Sequence, residues 1–273
     1  MAGGDGIISL SSGEGIINLY SVTFLNSSTN LLYISSNCEV NLIDINISDS
    51  NLNEFLFCGE SNVVSFDHVN FNNCLFSIYL LSFASNNSLY VTNMIMNNVS
   101  GQSFWMPENE FGSLFIFYNF NIILLQNCLF TSLTSISENL VMSEIEYFEF
   151  SGTAIFQFGS NYNNLTISST QFNYIKNFTT IFEFGQYESD MNCLTIINSI
   201  FSYLQFYSYI PHGVFINIET SSNNNTIDLF NTSLLHFSQL DMDPSNNSLF
   251  NLSDDNTLSL RNVNIQFDNS SIL

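Results

Sequence analysis

One ten-residue segment recurs nine times along this chain, and that repetition constrains the fold more than any other feature. It begins at Ile17, Val40, Val64, Leu89, Ile123, Leu165, Leu194, Ile227 and Leu258. Its first and third positions are aliphatic or Phe, its fifth is small or polar, and its eighth is mostly Phe, Ile, Leu or Met. Alternation on both sides of a polar bend is the period-two signature of two short strands meeting at a corner. A second apolar segment precedes each copy, as in LLYI from Leu31, FLFC from Phe55, IFQF from Ile155 and IFEF from Ile181. Its second and fourth positions are apolar. Its third is often polar (Ser9, Gln157, Glu183, Asn217, Asn251), which predicts one face inward and one outward.

Successive copies are 23, 24, 25, 34, 42, 29, 33 and 31 residues apart. Units of strands and turns at this spacing, without helical periodicity, predict an all-β single-stranded parallel β-helix of about nine coils. Right-handed crossovers dominate among parallel strands, so the coil is expected to be right-handed. At roughly 4.8 Å per coil the rod would be about 43 Å long. Residues 1–273 read as one domain, a segment of a longer solenoid or a filament subunit, with long links at 99–113, 133–153, 203–213 and 237–248.

Aromatic residues fall in columns. Phe115, Phe156, Phe182 and Phe250 share one position; Phe83, Phe117, Phe158 and Phe184 share another; Phe24, Phe71, Phe130, Phe172 and Phe201 share a third. Stacked one coil apart, such rings form ladders. The polar corner carries Asn93, Asn127, Asn198, Asn231 and Asn262, with Ser21, Asp44, His68 and Ser169 in the same column. Asn tolerates the left-handed conformation of a sharp bend, and stacked amides can bond along the axis, so this column is expected to be a structural Asn ladder.

Twenty-four acidic residues face only two basic ones, Lys176 and Arg261, for a formal net charge of −22. Phosphate recognition needs clustered cations, so nucleic acid is not an expected partner. The acidic surface suits calcium or mutual repulsion between long particles. The apolar stretch from Phe111 to Leu133 is interrupted by Asn119, Asn121, Gln126 and Asn127. It is read as two strands and a turn, not a membrane helix. The opening Met-Ala-Gly-Gly-Asp has neither the basic start nor the apolar run of a secretory signal. Both ends of the repeat lie close to the chain ends, and uncapped coils would pair with flanking coils or with other copies end to end.

Five cysteines at Cys38, Cys58, Cys74, Cys128 and Cys193 form no CxxC pair. Buried free thiols and an inter-coil disulfide are the two readings open to them. His68, His212 and His236 lack a partnered nucleophile at readable spacing and are read as structural or surface residues. No catalytic or cofactor motif is recognisable. The links gather aromatics beside carboxylates: Trp105, Glu108 and Glu110; Glu144 and Glu146; Tyr207 and Tyr209, with Tyr203 and Phe206 nearby; Asp241 and Asp243. Together they make a candidate ligand face of the kind that binds sugars, and two suitably spaced carboxylates could hydrolyse a glycosidic bond. Acceptor sequons at Asn86, Asn164, Asn224 and Asn246 would be glycosylated in a secretory pathway.

The repeat resembles right-handed parallel β-helix families, the pectin-lyase-like folds and the polymorphic outer-membrane-protein type of surface repeat. Gly152-Thr153-Ala154-Ile155, followed by Phe156, approximates the latter's GGAI element, and its FxxN element occurs at Phe83–Asn86 and Phe158–Asn161. The Gly-His-Gly and Arg-Ile-Lys elements of polygalacturonases are absent. The resemblance implies an extracellular or cell-surface adhesive role; without a recognisable catalytic motif the expected role is non-enzymatic, and a glycan-binding or glycan-hydrolysing module is the alternative.

Overall fold

The computed structural model describes residues 7–10, 13–103, 113–137, 154–184, 190–207, 213–218, 222–240, 248–253 and 255–267. Every strand pairing among them is parallel, and each joins one coil to the next. In the first sheet, Ile8 lies against Leu32, Leu32 against Leu56, and Leu56 against Leu81. The column continues through Phe115, Phe156, Phe182 and Ile216 to Phe250. A second sheet stacks Ile17, Val40, Val64, Leu89, Ile123, Leu165, Leu194, Ile227 and Leu258, the nine repeat starts. A third sheet stacks Phe24, Ile47, Phe71, Met96, Phe130, Phe172, Phe201, Leu234 and Ile265. Beyond the third sheet a fourth column stacks Cys74 on Val99 on Leu133, and Ile175 on Leu204 on Phe237, so the described residues form a parallel β-solenoid of nine coils with four sides.

What turns the chain is a left-handed residue at each corner. Non-glycine residues with φ of 50–61° fall, except Asn177, into three columns. The corner between the first and second sheets runs from Asn37 through Phe120 and Tyr162 to Asp255. The corner between the second and third is the expected polar column, complete from Ser21 to Asn262. The corner leaving the third sheet contains Asn26, Asp49, Asn73, Asn98, Ser132, Tyr174, Tyr203 and His236. One such residue reverses which side of the backbone faces in, so two short strands can both present apolar faces to one core.

The core runs unbroken along the axis. Phe130, Phe172 and Phe201 stack at centroid separations of 4.6 and 4.5 Å, and Phe158 and Phe184 at 4.3 Å. Each such pair contributes about 0.5–1.5 kcal/mol beyond the area it buries. The Phe columns are not continuous: Ile216 separates Phe182 from Phe250, and Met96 separates Phe71 from Phe130. Close coil stacking also decides Gly59, where a Cβ would lie 1.8 Å from the Ser35 carbonyl oxygen.

The stretch read as two strands and a turn contains the strands Phe115–Asn119 and Ile122–Gln126 and enters a third, Leu129–Ser137. The long links also begin later than their spacing predicts. Beyond the third corner the third-sheet strands run on as the fourth side, to Ser103, Ser137, Tyr207 and Leu240, because their backbones still find a partner in the adjacent coil.

All five cysteines are free, which settles the alternative in favour of unpaired thiols. Cys38, Cys58, Cys74 and Cys128 are buried, and Cys193 is partly exposed. Burial pushes the Cys128 thiol up to about 11. Burial, and behind it the neighbouring Cys38, holds Cys58 well above the ordinary thiol range.

Candidate functional site

Coils one to four and coils five to eight differ on the outside. In the early coils the corner between the first and second sheets and the corner after the third carry Gly, Asn, Ser or Asp. In the later ones the first of these corners carries Phe120, Tyr162 and Met191 before returning to Asn224, and the second carries Tyr174, Tyr203 and His236 after Ser132. A bulky side chain at positive φ is disfavoured by roughly 1–2 kcal/mol. These residues nonetheless stand 47–52% exposed at Phe120, Tyr162, Tyr174, Met191 and Tyr203, so no core packing explains them.

What they do is stack. Phe120 and Tyr162 lie 4.8 Å apart with their rings 5° from parallel. Tyr174 stacks on Tyr203 at 4.9 Å, and Tyr203 on His236 at 4.6 Å. Each set forms a ridge of parallel rings along the rod axis, with ring edges turned to solvent. Tyr203 was expected in a link; it is a corner residue. Phe206, grouped with it, is 1% exposed and belongs to the core, where it stacks on Phe237.

On the outer face of the first sheet the expectation of an exposed third position holds at Ser9 but fails in the middle coils. Ser82, Gln157, Glu183 and Asn217 are buried there, alongside Ile116. They are hydrogen-bonded in a row. Ser113 Oγ donates to Gln157 Oε1 at 2.9 Å, Asn217 Nδ2 to Glu183 Oε1 at 2.8 Å, and Asn251 Nδ2 to Asn217 Oδ1 at 2.7 Å. Burial of Gln157, Glu183 and Asn217 is tolerated because each finds such a partner in an adjacent coil. A period-two pattern reports which side of a strand a residue occupies, not what lies beyond that side.

Of the candidate ligand face, only Tyr207 lies within the described residues, as the last residue of a third-sheet strand. Trp105, Glu108, Glu110, Glu144, Glu146, Tyr209, Asp241 and Asp243 lie outside them. Asn86 and Asn224 are exposed corner residues, Asn164 is exposed at a strand start, and Asn246 is outside the described residues. His68 Nδ1 lies 3.0 Å from Asp67 Oδ1. Burial pushes the Asp67 carboxyl up, but hydrogen bonds from Asn93, Thr92 and His68 and the histidine's charge outweigh it and leave the group lowered. Among the described residues no His, Cys, Asp and Glu cluster is spaced to hold a metal, and no helix is long and apolar enough to cross a membrane.

The expected Asn ladder is partly made. Asn231 Nδ2 donates to Asn198 Oδ1 and Asn262 Nδ2 to Asn231 Oδ1, both at 2.7 Å, while Asn93 donates to Asp67 at 3.0 Å. A second ladder escaped sequence reading. Asn62, Asn87, Asn121, Asn163, Asn192 and Asn225 are each 1% exposed, and Asn256 continues their column. In every step the backbone N–H and side-chain Nδ2 of one Asn both donate to Oδ1 of the next, at 2.8–3.2 Å. The signal was present: each stands two residues before a repeat start.

No family model matches the chain, and no curated protein does. Among solved structures it is similar to HetL, a pentapeptide repeat protein involved in heterocyst differentiation regulation from the cyanobacterium Nostoc sp. strain PCC 7120. The identity is 10%, over 92% of this chain and 87% of that one, at a TM-score of 0.17.

Proposed function

We propose that this chain is a non-enzymatic structural or adhesive β-helix module of the extracellular space or cell surface. The observation that carries the reading is the division of labour around the coil. Stacked parallel strands and an internal amide ladder build a stiff rod, while strained, exposed aromatics concentrate on two corners of coils five to eight. Backbone strain is retained where something other than stability selects it. The pectin-lyase-like and polymorphic surface-repeat families remain the proposed relatives. Exposed sequons at Asn86, Asn164 and Asn224 suit a glycosylated module, and calcium is proposed as counter-ion to the acidic surface. A calcium titration of the melting temperature tests the latter; an unmoved Tm removes strong structural binding.

The second reading is that the aromatic side binds glycans. The ring ridges supply exposed aromatic stacking surface of the kind sugars pack against. A glycan array with the wild-type chain and with Tyr174→Asn/Tyr203→Asn decides it. Binding that the double variant loses, with no sugar released from polysaccharides, supports an adhesive lectin-like surface. Release of reducing ends would replace both readings with a hydrolase, and absence of any glycan binding would leave the structural role alone.

A further inference from the structure

The two end faces of the described solenoid are open. In the last coil, inward-pointing Leu260 and Ile265 are 42% and 37% exposed, although the same columns are fully buried in the middle coils. In the first coil, Leu19, Val22 and Phe24 are only partly covered. Among the described residues the strands Thr257–Arg261 and Asn264–Phe267 pair on one side only, as do Gly15–Tyr20 and Thr23–Leu25. Each face thus offers apolar side chains together with unpaired backbone groups, a template for another strand set.

We propose that the occupant of each face is a second copy of this chain, docked head to tail so that its first coil continues the columns of the last. The match follows from the registers. Leu260 would meet Leu19, Val263 would meet Val22, and Ile265 would meet Phe24. At the second corner Asn262 would meet Ser21, whose hydroxyl can donate to the free side of the Asn262 amide oxygen, continuing the outer ladder.

Arg261 makes the junction specific. It is one of only two basic residues, it pairs with Asp228 at 2.6 Å, and its guanidinium carbon sits 5.5 Å from the Phe230 ring centroid. The residue at this position in the first coil is Tyr20, 59% exposed with no ring above it. In the docked pair the guanidinium would lie between Phe230 of one copy and Tyr20 of the next, an aromatic sandwich around a cation. One position opposes the contact: Asp255 would face Glu14, in a protein whose formal net charge is already −22. The junction is therefore expected to form as salt screens this repulsion, the Debye length falling from roughly 10 Å at 0.1 M to about 3 Å at 1 M. A head-to-tail contact does not close on itself and yields rods of increasing length.

Sedimentation velocity and electron microscopy of the wild-type chain across that salt range test the proposal. Rods at multiples of about 43 Å are expected at high salt. Leu260→Asp and Leu19→Asp each kill one face, so either variant alone stays monomeric, whereas the mixture forms one-to-one dimers and nothing longer. Arg261→Glu lies on the outer surface and needs no core rearrangement. It is expected to raise the concentration for half-assembly by roughly tenfold, and Asp255→Asn to lower it. Wild-type chain that stays monomeric throughout, or folded face variants that fail to dimerise when mixed, would overturn the inference. A monomer that still binds glycans would leave the side-face reading standing.

Discussion

The two asparagine columns of this solenoid use the same residue for different reasons. The outer column stands at the corner between the second and third sheets, where the requirement is a backbone with φ near 50–56°. Ser21, Asp44, His68 and Ser169 meet that requirement as well, and the amides bond to one another only where Asn follows Asn, from Asn198 to Asn262. The inner column is buried from Asn62 to Asn225 and is Asn in every coil from the third to the ninth, Asn62 to Asn256. There the side chain must accept two hydrogen bonds at Oδ1 from one neighbour and donate one from Nδ2 to the other, beside the one its backbone N–H gives. Among uncharged side chains only Asn and Gln hold both a carbonyl and an amino group, and Asn is the shorter. A column that tolerates variety is set by backbone geometry, whereas a column that tolerates none is set by hydrogen-bond capacity.

The contrast can be broken by mutation. Asn163→Leu should be the most damaging change. It strands the Asn121 N–H and Nδ2 donors and removes the donor to the Tyr118 and Ser160 carbonyls. A loss of about 3 kcal/mol or more is expected in denaturant unfolding, since each stranded buried group costs roughly 1–3 kcal/mol. In the outer column, Asn198→Val should cost about 1–2 kcal/mol through its left-handed backbone. Asn198→Gly should fall within about 0.5 kcal/mol of wild type, because glycine relieves the same strain at some entropic cost. An Asn198→Gly loss as large as that of Asn163→Leu would erase the distinction between the columns.

Smaller effects sharpen it. Cys38 occupies the inner column in the second coil, and its N–H already donates to Asn62 Oδ1 at 3.0 Å. Cys38→Asn would add the side-chain donor and extend the ladder by one coil, a gain of about 0.5–1 kcal/mol. Thiol chemistry perturbs the fold least. With Cys128 pushed up to about 11 and Cys58 well above the ordinary range, native protein at pH 8 should react with a thiol reagent chiefly at Cys193. All five should react in denaturant. Rapid native labelling of Cys58 would mean that the coils open locally.

Much of this was legible beforehand. The nine repeat starts, the three Phe positions and the polar corner all align in the registers as their spacing predicts. The inner ladder was hidden because its members sit in runs such as Ser160-Asn161-Tyr162-Asn163, whose composition reads as a solvated turn. Tyr162 at the corner is exposed, and Asn163, one residue later, is buried. Tyr174 and Tyr203 were obscure for the opposite reason: large aromatics are not what a left-handed corner normally holds.

By itself the sequence determined that strands would stack in parallel coils and which apolar residues would share a column. Alternation and spacing along one coil are local properties, and local chemistry is what a sequence displays. Only the tertiary structure decided which polar residues are buried, at Asn121, Gln157 or Glu183, and which aromatics stand in water. Burial at each of those positions is set by atoms that other coils bring alongside, from residues dozens of positions away.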